Sequence, residues 1–102
     1  VGRHGPYNPA MTEVIVRIPG ALRGFTAGQA ELHVAAGTVA ELIASIGESH
    51  PALPPRLLTP EGDLRPYVNV FVGAASVRGR QGLATPVAPG TVVSIIPAVA
   101  GG

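Results

Sequence analysis

The chain has 102 residues, of which 46% are hydrophobic and 13% charged, so it has the size and composition of one globular domain. Its net charge of +1 excludes a strong electrostatic attraction to nucleic acid or an anionic membrane, and no apolar run reaches the roughly 20 residues of a membrane span. All seven basic residues are arginine and cysteine is absent, which excludes lysine Schiff-base chemistry, thiolate catalysis and disulfides.

The first ten residues are predicted to lie outside the folded domain. Residues 1–10 are rich in glycine and proline, contain no apolar segment of the kind found in signal peptides, and directly precede Met11. We interpret them as a vector-derived or disordered leader, with a native disordered arm as the alternative. The domain itself is placed at residues 11–97, followed by a flexible tail at 98–102. Since the lack of cysteine suits a reducing compartment, we expect a cytoplasmic protein.

Two strand patterns come first in the domain. Residues 13–18 form a run of β-forming residues that Pro19-Gly20 stops, and residues 30–34 alternate between polar and apolar side chains. The segment between them contains three glycines. This arrangement predicts a β-hairpin with a long turn.

A helix is predicted from Thr38 to Ser49. Thr38 and Glu41 have the spacing of a capping box, in which the Thr38 hydroxyl accepts from the Glu41 amide and the Glu41 carboxylate reaches back to the Thr38 amide. His50-Pro51 ends the helix. Four apolar residues recur at helical spacing and predict one buried stripe: Val39, Leu42, Ile43 and Ile46.

The second half of the chain predicts an irregular segment and then more strands. Residues 51–66 contain five prolines, and three leucines are expected to attach this segment to the core: Leu53, Leu57 and Leu58. Residues 67–72 give the strongest strand pattern, with Val68, Val70 and Val72 facing the core and Tyr67, Asn69 and Phe71 facing outward.

A short edge strand at 76–78 and a last strand at 91–96, with Val93 and Ile95 inward, complete the pattern. The order β-β-α-β-(β)-β predicts an α+β fold in which a mixed sheet packs on one main helix.

The end of the chain contains the strongest candidate for chemistry. Pro97 is expected to end the pairing of the last strand. Five small, uncharged residues follow: Ala98, Val99, Ala100, Gly101 and Gly102. Such a tail can enter a narrow channel in another protein, because the two glycines let a second backbone approach closely. A partner could then activate the Gly102 carboxylate as an acyl-adenylate.

Other polar residues give weaker signals. His4, His33 and His50 lack the spacing of a metal site, so no metal is expected, and we place His33 on the surface and His50 at the helix end. Arg78 and Arg80 are interpreted as solvated, with contact to an acidic partner as the alternative. No nucleotide-binding loop and no catalytic constellation is found, which indicates a protein that is not itself an enzyme.

With these segments, the chain resembles the ubiquitin-like sulfur carriers: the thiamin-biosynthesis carrier, the small subunit of molybdopterin synthase and, most closely, the cysteine-synthesis carrier of actinobacteria. The resemblance covers residues 11–102. Its specific part is the terminal block, residues 93–102, and supportive segments are residues 13–22, 38–49, 67–72 and 82–86. The resemblance implies a ubiquitin-like β-grasp fold.

The resemblance also implies a reaction cycle. An ATP- and Mg-using, E1-like enzyme adenylates Gly102, and a sulfur donor converts the carboxylate to a thiocarboxylate. A PLP-dependent cysteine synthase then accepts the sulfur, and a zinc metalloprotease frees the cysteine. The chain itself binds no cofactor in this cycle. Residues 97–101 would contact the partners, and outward-facing Phe71 is the candidate docking anchor.

Several alternatives stay open at this point. The recipient could instead make molybdopterin, thiamin or a sulfur-containing secondary metabolite. The chain could also be a protein modifier that is joined to lysines of its targets, or an interaction domain that is never activated.

Overall fold

One five-stranded sheet and one long helix make up most of the structure, a computed structural model that describes residues 13–97. The predictions for residues 1–10 and 98–102 lie outside this range. Within residues 13–97, 3₁₀ helices occur at Gly20–Phe25, Val77–Gly79 and Gly82–Ala84. The strands are β1 (Glu13–Arg17), β2 (Glu31–Ala35), β3 (Val68–Val72), β4 (Ala75–Ser76) and β5 (Val92–Pro97), and the α-helices are α1 (Val39–Ser49) and α2 (Pro54–Leu57).

The strand order across the sheet is β2-β1-β5-β3-β4, so the last strand lies in the middle. β1 and β5 are parallel, whereas the other neighbouring strands are antiparallel. The predicted hairpin of β1 and β2 and the predicted mixed sheet are therefore confirmed. Parallel strands end on the same side of a sheet. The chain therefore leaves β5 at the end of the sheet where β1 also ends and where β3 begins.

The capping box at the start of α1 is confirmed in one half and corrected in the other. The Thr38 hydroxyl accepts from the Glu41 amide at 3.2 Å, as predicted. The Glu41 carboxylate, however, accepts from the amide of Gly37 at 2.8 Å and does not bond Thr38. The carboxylate reaches one residue further back, so these two bonds satisfy the Glu41 amide in the first turn and the Gly37 amide just before the N-cap.

The core lies between α1 and one face of the sheet. All four residues of the predicted helical stripe are at most 2% exposed, and Val68, Val70, Val93 and Ile95 face them from the sheet. Val72 is only half-buried and packs at the margin of this core. The predicted core faces are therefore confirmed, with Val72 less buried than expected because it lies at the end of β3.

The proline-rich segment contains more regular structure than predicted. Pro54 and Pro55 begin the short helix α2, where the first turn needs no amide donors, so prolines are tolerated there. Leu53 and Leu57 are fully buried and attach the segment to the core, whereas Leu58 is half-buried. The Arg56 guanidinium lies 4.5 Å from the centroid of the ring of Phe25 and connects α2 to the hairpin loop.

The predicted edge strand at residues 76–78 is wrong beyond Ser76. β4 contains only Ala75 and Ser76, and a 3₁₀ turn follows at Val77–Gly79. Val77 is fully buried, which draws the chain out of the sheet plane and toward the core. As a result, β4 pairs only with Phe71 and Val72, and the first residues of β3 have no neighbouring strand on that side.

Candidate functional site

The candidate site is the end of the sheet from which the C-terminal tail continues, and we call Val68, Asn69, Ile96 and Pro97 the tail root. In the register of β3 and β5, Val68 lies opposite Pro97 and Asn69 lies opposite Ile96. Pro97 is the last residue that the structure describes. The predicted functional residues beyond it are Ala98, Val99, Ala100, Gly101 and Gly102, which lie outside the described residues.

Pro97, the last described residue, is itself paired, so β5 extends at least one residue beyond the predicted strand at 91–96. The Val68 amide donates to the Arg65 carbonyl at 3.0 Å, and the Val68 carbonyl accepts from Arg78. Neither backbone group of Val68 therefore bonds to Pro97, so this is a pair without hydrogen bonds between its members. A proline fits this position without loss, because no ladder bond needs its missing N–H.

Two large apolar side chains are exposed at the tail root: Ile96, which belongs to it, and Tyr67, which directly precedes Val68. Tyr67 is 51% exposed and Ile96 is 48% exposed, the highest values among large hydrophobic residues of the described range. By strand alternation, Ile96 lies on the outer face of the sheet opposite Asn69, and Tyr67 lies in the turn directly before β3. The sequence analysis did not single them out, although the alternation that placed Ile95 inward already placed Ile96 outward.

Phe71, the predicted docking anchor, lies on the same outer face but further from the tail. It is half-buried, faces Ser94 on one side and Ser76 on the other, and is absent from the hydrophobic core cluster. Ser94 precedes Pro97 by three residues, which corresponds to roughly 10 Å along a strand. The outward orientation agrees with the expectation, and the anchoring role stays a prediction.

Arg78 is exposed, as the sequence suggested, but its guanidinium also bonds the protein's own backbone. Its guanidinium nitrogen Nη2 donates to the carbonyls of Arg65 at 2.7 Å and Pro66 at 3.4 Å, and also to the carbonyl of Val68. The Arg78 side chain is thus engaged within the protein, directly beside the tail root. Among residues 13–97, no hydrogen bond or ion pair involves the side chain of Arg80, which agrees with a solvated role.

The histidines in the described range behave as surface residues. His33 lies on the exposed face of β2, with its ring nitrogens 3.4 Å from the Glu13 carboxylate and 3.5 Å from the Glu31 carboxylate. His50 caps the C-terminal end of α1. Within residues 13–97, no group of three or more His, Cys, Asp or Glu side chains is arranged to hold a metal ion.

The cavities do not coincide with the tail root. One of about 300 Å³ lies beside Val72 and Arg80, and Val72 pairs with Val93, at the other end of the β3–β5 ladder from Pro97. The candidate site is therefore an exposed strand end with apolar neighbours. Such a site suits contact with another protein better than enclosure of a small molecule. No helix in the described part of the chain is long and apolar enough to span a membrane.

The architecture places the protein in the class of ubiquitin-like β-grasp domains, with a central strand that leads into a tail ending in Gly101-Gly102. Residues 16–102 match the ThiS family. The chain belongs to this family of ubiquitin-like sulfur carriers, which are small carrier proteins. Both the resemblance and the fold class predicted from the sequence are thereby confirmed.

Individual relatives agree with this assignment. The chain is 38% identical over 91 residues to the sulfur carrier protein CysO of Mycobacterium tuberculosis, covering 87% of this chain and 98% of that protein. A chain in the crystal structure of the Amycolatopsis orientalis BexX/CysO complex matches with a TM-score of 0.83 at 37% identity, covering 87% and 99%. The solution structure of the small archaeal modifier protein 1 from Methanosarcina acetivorans matches with a TM-score of 0.75 at 26% identity, covering 90% and 98%.

Proposed function

We propose that this protein carries sulfur as a thiocarboxylate at Gly102, formed after an ATP-dependent, E1-like enzyme has adenylated the carboxylate. One observation carries the proposal. The central strand of a ThiS-family fold is described up to Pro97, five residues before Gly102, at an end of the sheet that exposes Tyr67 and Ile96. The proposed reactive group is thus only five residues along the chain from a surface that a partner can contact.

The proposed chemistry needs no catalytic group on this chain. The Gly102 carboxylate attacks the α-phosphate of ATP, pyrophosphate leaves, and an acyl-adenylate forms. Hydrosulfide then attacks the acyl carbon, AMP leaves with the bonding electron pair, and the acyl-adenylate becomes a thiocarboxylate. ATP and Mg belong to the activating enzyme in this scheme, and the chain binds no cofactor itself.

Similarity to CysO supports cysteine biosynthesis as the destination of the sulfur. In that case the recipient is a PLP-dependent synthase, and a metalloprotease releases the new cysteine from the carrier. The Amycolatopsis protein of the same name is recorded in a complex with BexX, which supports the wider proposal that this chain also docks on a protein partner. All these reactions would take place in the cytoplasm.

Replacing Phe71 with alanine is expected to leave the fold intact and to raise the KM of the activating enzyme for the carrier about tenfold, as loss of a central aromatic contact does at many interfaces. Steady-state ATP–pyrophosphate exchange measures this KM. His33→Ala is the matched control, because His33 occupies the same outer face at the distant edge strand. A Phe71→Ala carrier with an unchanged KM removes Phe71 from the interface and leaves Tyr67 and Ile96 as anchors.

The second candidate function is protein modification, which the likeness to the archaeal modifier favours. Both functions begin with adenylation, so they separate only afterwards. Intact-mass analysis of the activated carrier, with a sulfide source and with a lysine-containing target offered together, tests the choice. A carrier in which sulfur has replaced one oxygen supports the sulfur function, whereas a covalent carrier–target conjugate supports modification. Absence of pyrophosphate exchange leaves only the interaction domain.

A further inference from the structure

A single arginine side chain holds the backbone beside the tail root. Nη2 of Arg78 donates to the carbonyl oxygens of Arg65 and Pro66, at 2.7 and 3.4 Å, and to the carbonyl oxygen of Val68. These three carbonyls belong to the turn that enters β3 and to the first residue of the strand. The guanidinium thus fixes the start of β3 to the loop that follows β4.

The short length of β4 explains why this strand needs a side-chain donor. β4 pairs only with Phe71 and Val72, so the edge of β3 ahead of them has no strand beside it. Two side chains instead form hydrogen bonds with the backbone of this edge. Asn69 Oδ1 accepts from the Val70 amide at 2.8 Å, and Arg78 donates to the Val68 carbonyl. Arg78 thereby takes the place of the missing strand at the residue that faces Pro97.

The loop that carries Arg78 is itself attached to the domain. Val77 is fully buried, and the Arg78 amide donates to the Ser76 hydroxyl at 3.2 Å. The Ser76 hydroxyl donates in turn to Asn69 Oδ1 at 3.0 Å. Because the burial of Val77 and the Ser76–Asn69 hydrogen bond fix the loop, the Arg78 guanidinium is held in position before any partner binds.

We infer that Arg78 is a positioning residue for the C-terminal tail. Val68 and Pro97 form a pair without mutual hydrogen bonds, so the β3–β5 ladder cannot hold the start of β3 at this point. The next pair, Asn69 and Ile96, is the first that hydrogen bonds can join. Arg78 therefore determines whether this end of the β3–β5 ladder stays closed, and hence the direction of the chain at Pro97, from which the tail continues.

The consequence for activity rests on the proposed function of the tail. A partner that binds the outer face and the tail together gains affinity when the tail already leaves the sheet in the bound direction. Loss of the Arg78 contacts should thus weaken productive binding of the carrier more than the turnover of the bound carrier.

Hydrogen exchange of the Ile96 amide tests the inference without any partner. In Arg78→Ala we expect this amide to exchange about tenfold faster, whereas the α1 amides keep their protection, since only the end of the ladder opens. In pyrophosphate exchange, kcat/KM for the carrier should fall about tenfold, mainly through KM. Arg78→Lys keeps the charge and some of the donors and should be intermediate in both measurements. Arg80→Ala removes an equal charge two residues away and should change neither.

Two outcomes would overturn the inference. If the Ile96 exchange rate is unchanged while kcat/KM falls, Arg78 contacts the partner directly. If α1 and Ile96 amides lose protection equally, Arg78 contributes only to general stability. Failure of the proposed function is distinguishable, because the wild-type carrier would then show no pyrophosphate exchange while the hydrogen-exchange comparison still decides whether Arg78 holds the tail root.

Discussion

Deletion of Gly102 is expected to lower the rate of ATP–pyrophosphate exchange by at least about 100-fold, because it moves the terminal carboxylate back by roughly 3.5 Å from the position where ATP is attacked. The fold should not change, since the described domain ends at Pro97. Adding one residue after Gly102 should be equally damaging, as it displaces the carboxylate in the opposite direction. The exchange rate of each variant with the cognate activating enzyme, at equal carrier concentration, measures the effect.

The control for this series is removal of residues 1–10, which also shortens the chain but at the opposite end. We expect exchange at the wild-type rate for this variant, in agreement with the prediction that the leader lies outside the domain. Normal exchange by the carrier without Gly102 contradicts the requirement for a carboxylate at that position. The interaction-domain alternative would then be preferred.

Replacement of Ile43 with alanine is expected to lower the free energy of unfolding by about 2–5 kcal/mol, the usual range for a fully buried isoleucine. Ile43 is 2% exposed and lies in the middle of the α1 stripe that faces the sheet. Such a loss is a large part of the stability of a small domain, about 5–15 kcal/mol. Urea unfolding followed by circular dichroism measures it.

Ile96→Ala is the matched control for this substitution, since the same side chain is 48% exposed at position 96. It should cost about 1 kcal/mol or less, because truncation there leaves no buried cavity. A loss below about 0.5 kcal/mol for Ile43→Ala, or equal losses at the two positions, would show that α1 does not pack as the structure describes.

Periodic patterns in the sequence were sufficient to predict most of this fold. The α1 stripe, the valine face of β3 and the inward residues of β5 follow from repeats of 3.6 and 2 residues, and all of them except Val72 are found in the core. The order of hairpin, helix and further strands was also sufficient to predict a mixed sheet. The buried faces are predictable because every inward residue of a regular helix or strand packs against the same core.

The errors lie where one tertiary contact decides the local structure. Val77 leaves the predicted edge strand because its side chain is buried, and nothing in residues 76–78 alone indicates this. Pro97 is itself paired, one residue beyond the predicted strand, because the backbone groups of Val68 have other partners. Arg78 bonds carbonyls of residues that are up to 13 positions away in the sequence. Such long-range side-chain contacts produce no periodic pattern in the sequence.

The sequence predicted the reactive end of the candidate site, Gly101-Gly102, better than it predicted the residues beside Pro97. The Gly-Gly terminus and the outward orientation of Phe71 and Tyr67 follow from the sequence, whereas the position of the exposed Tyr67 and Ile96 beside Pro97 became evident only in the structure. The strand register explains this difference, because it determines which outer-face residues lie next to Pro97.

The central claim is that Gly102 carries sulfur, and intact-mass analysis of the carrier tests it most directly. The full-length protein is incubated with its activating enzyme, ATP, Mg and a sulfide source, and the product is fragmented to locate the change. The account predicts a mass increase equal to the exchange of one oxygen for sulfur, located at Gly102 and dependent on ATP. Pyrophosphate exchange without any gain of sulfur, or sulfur located at another residue, would contradict it.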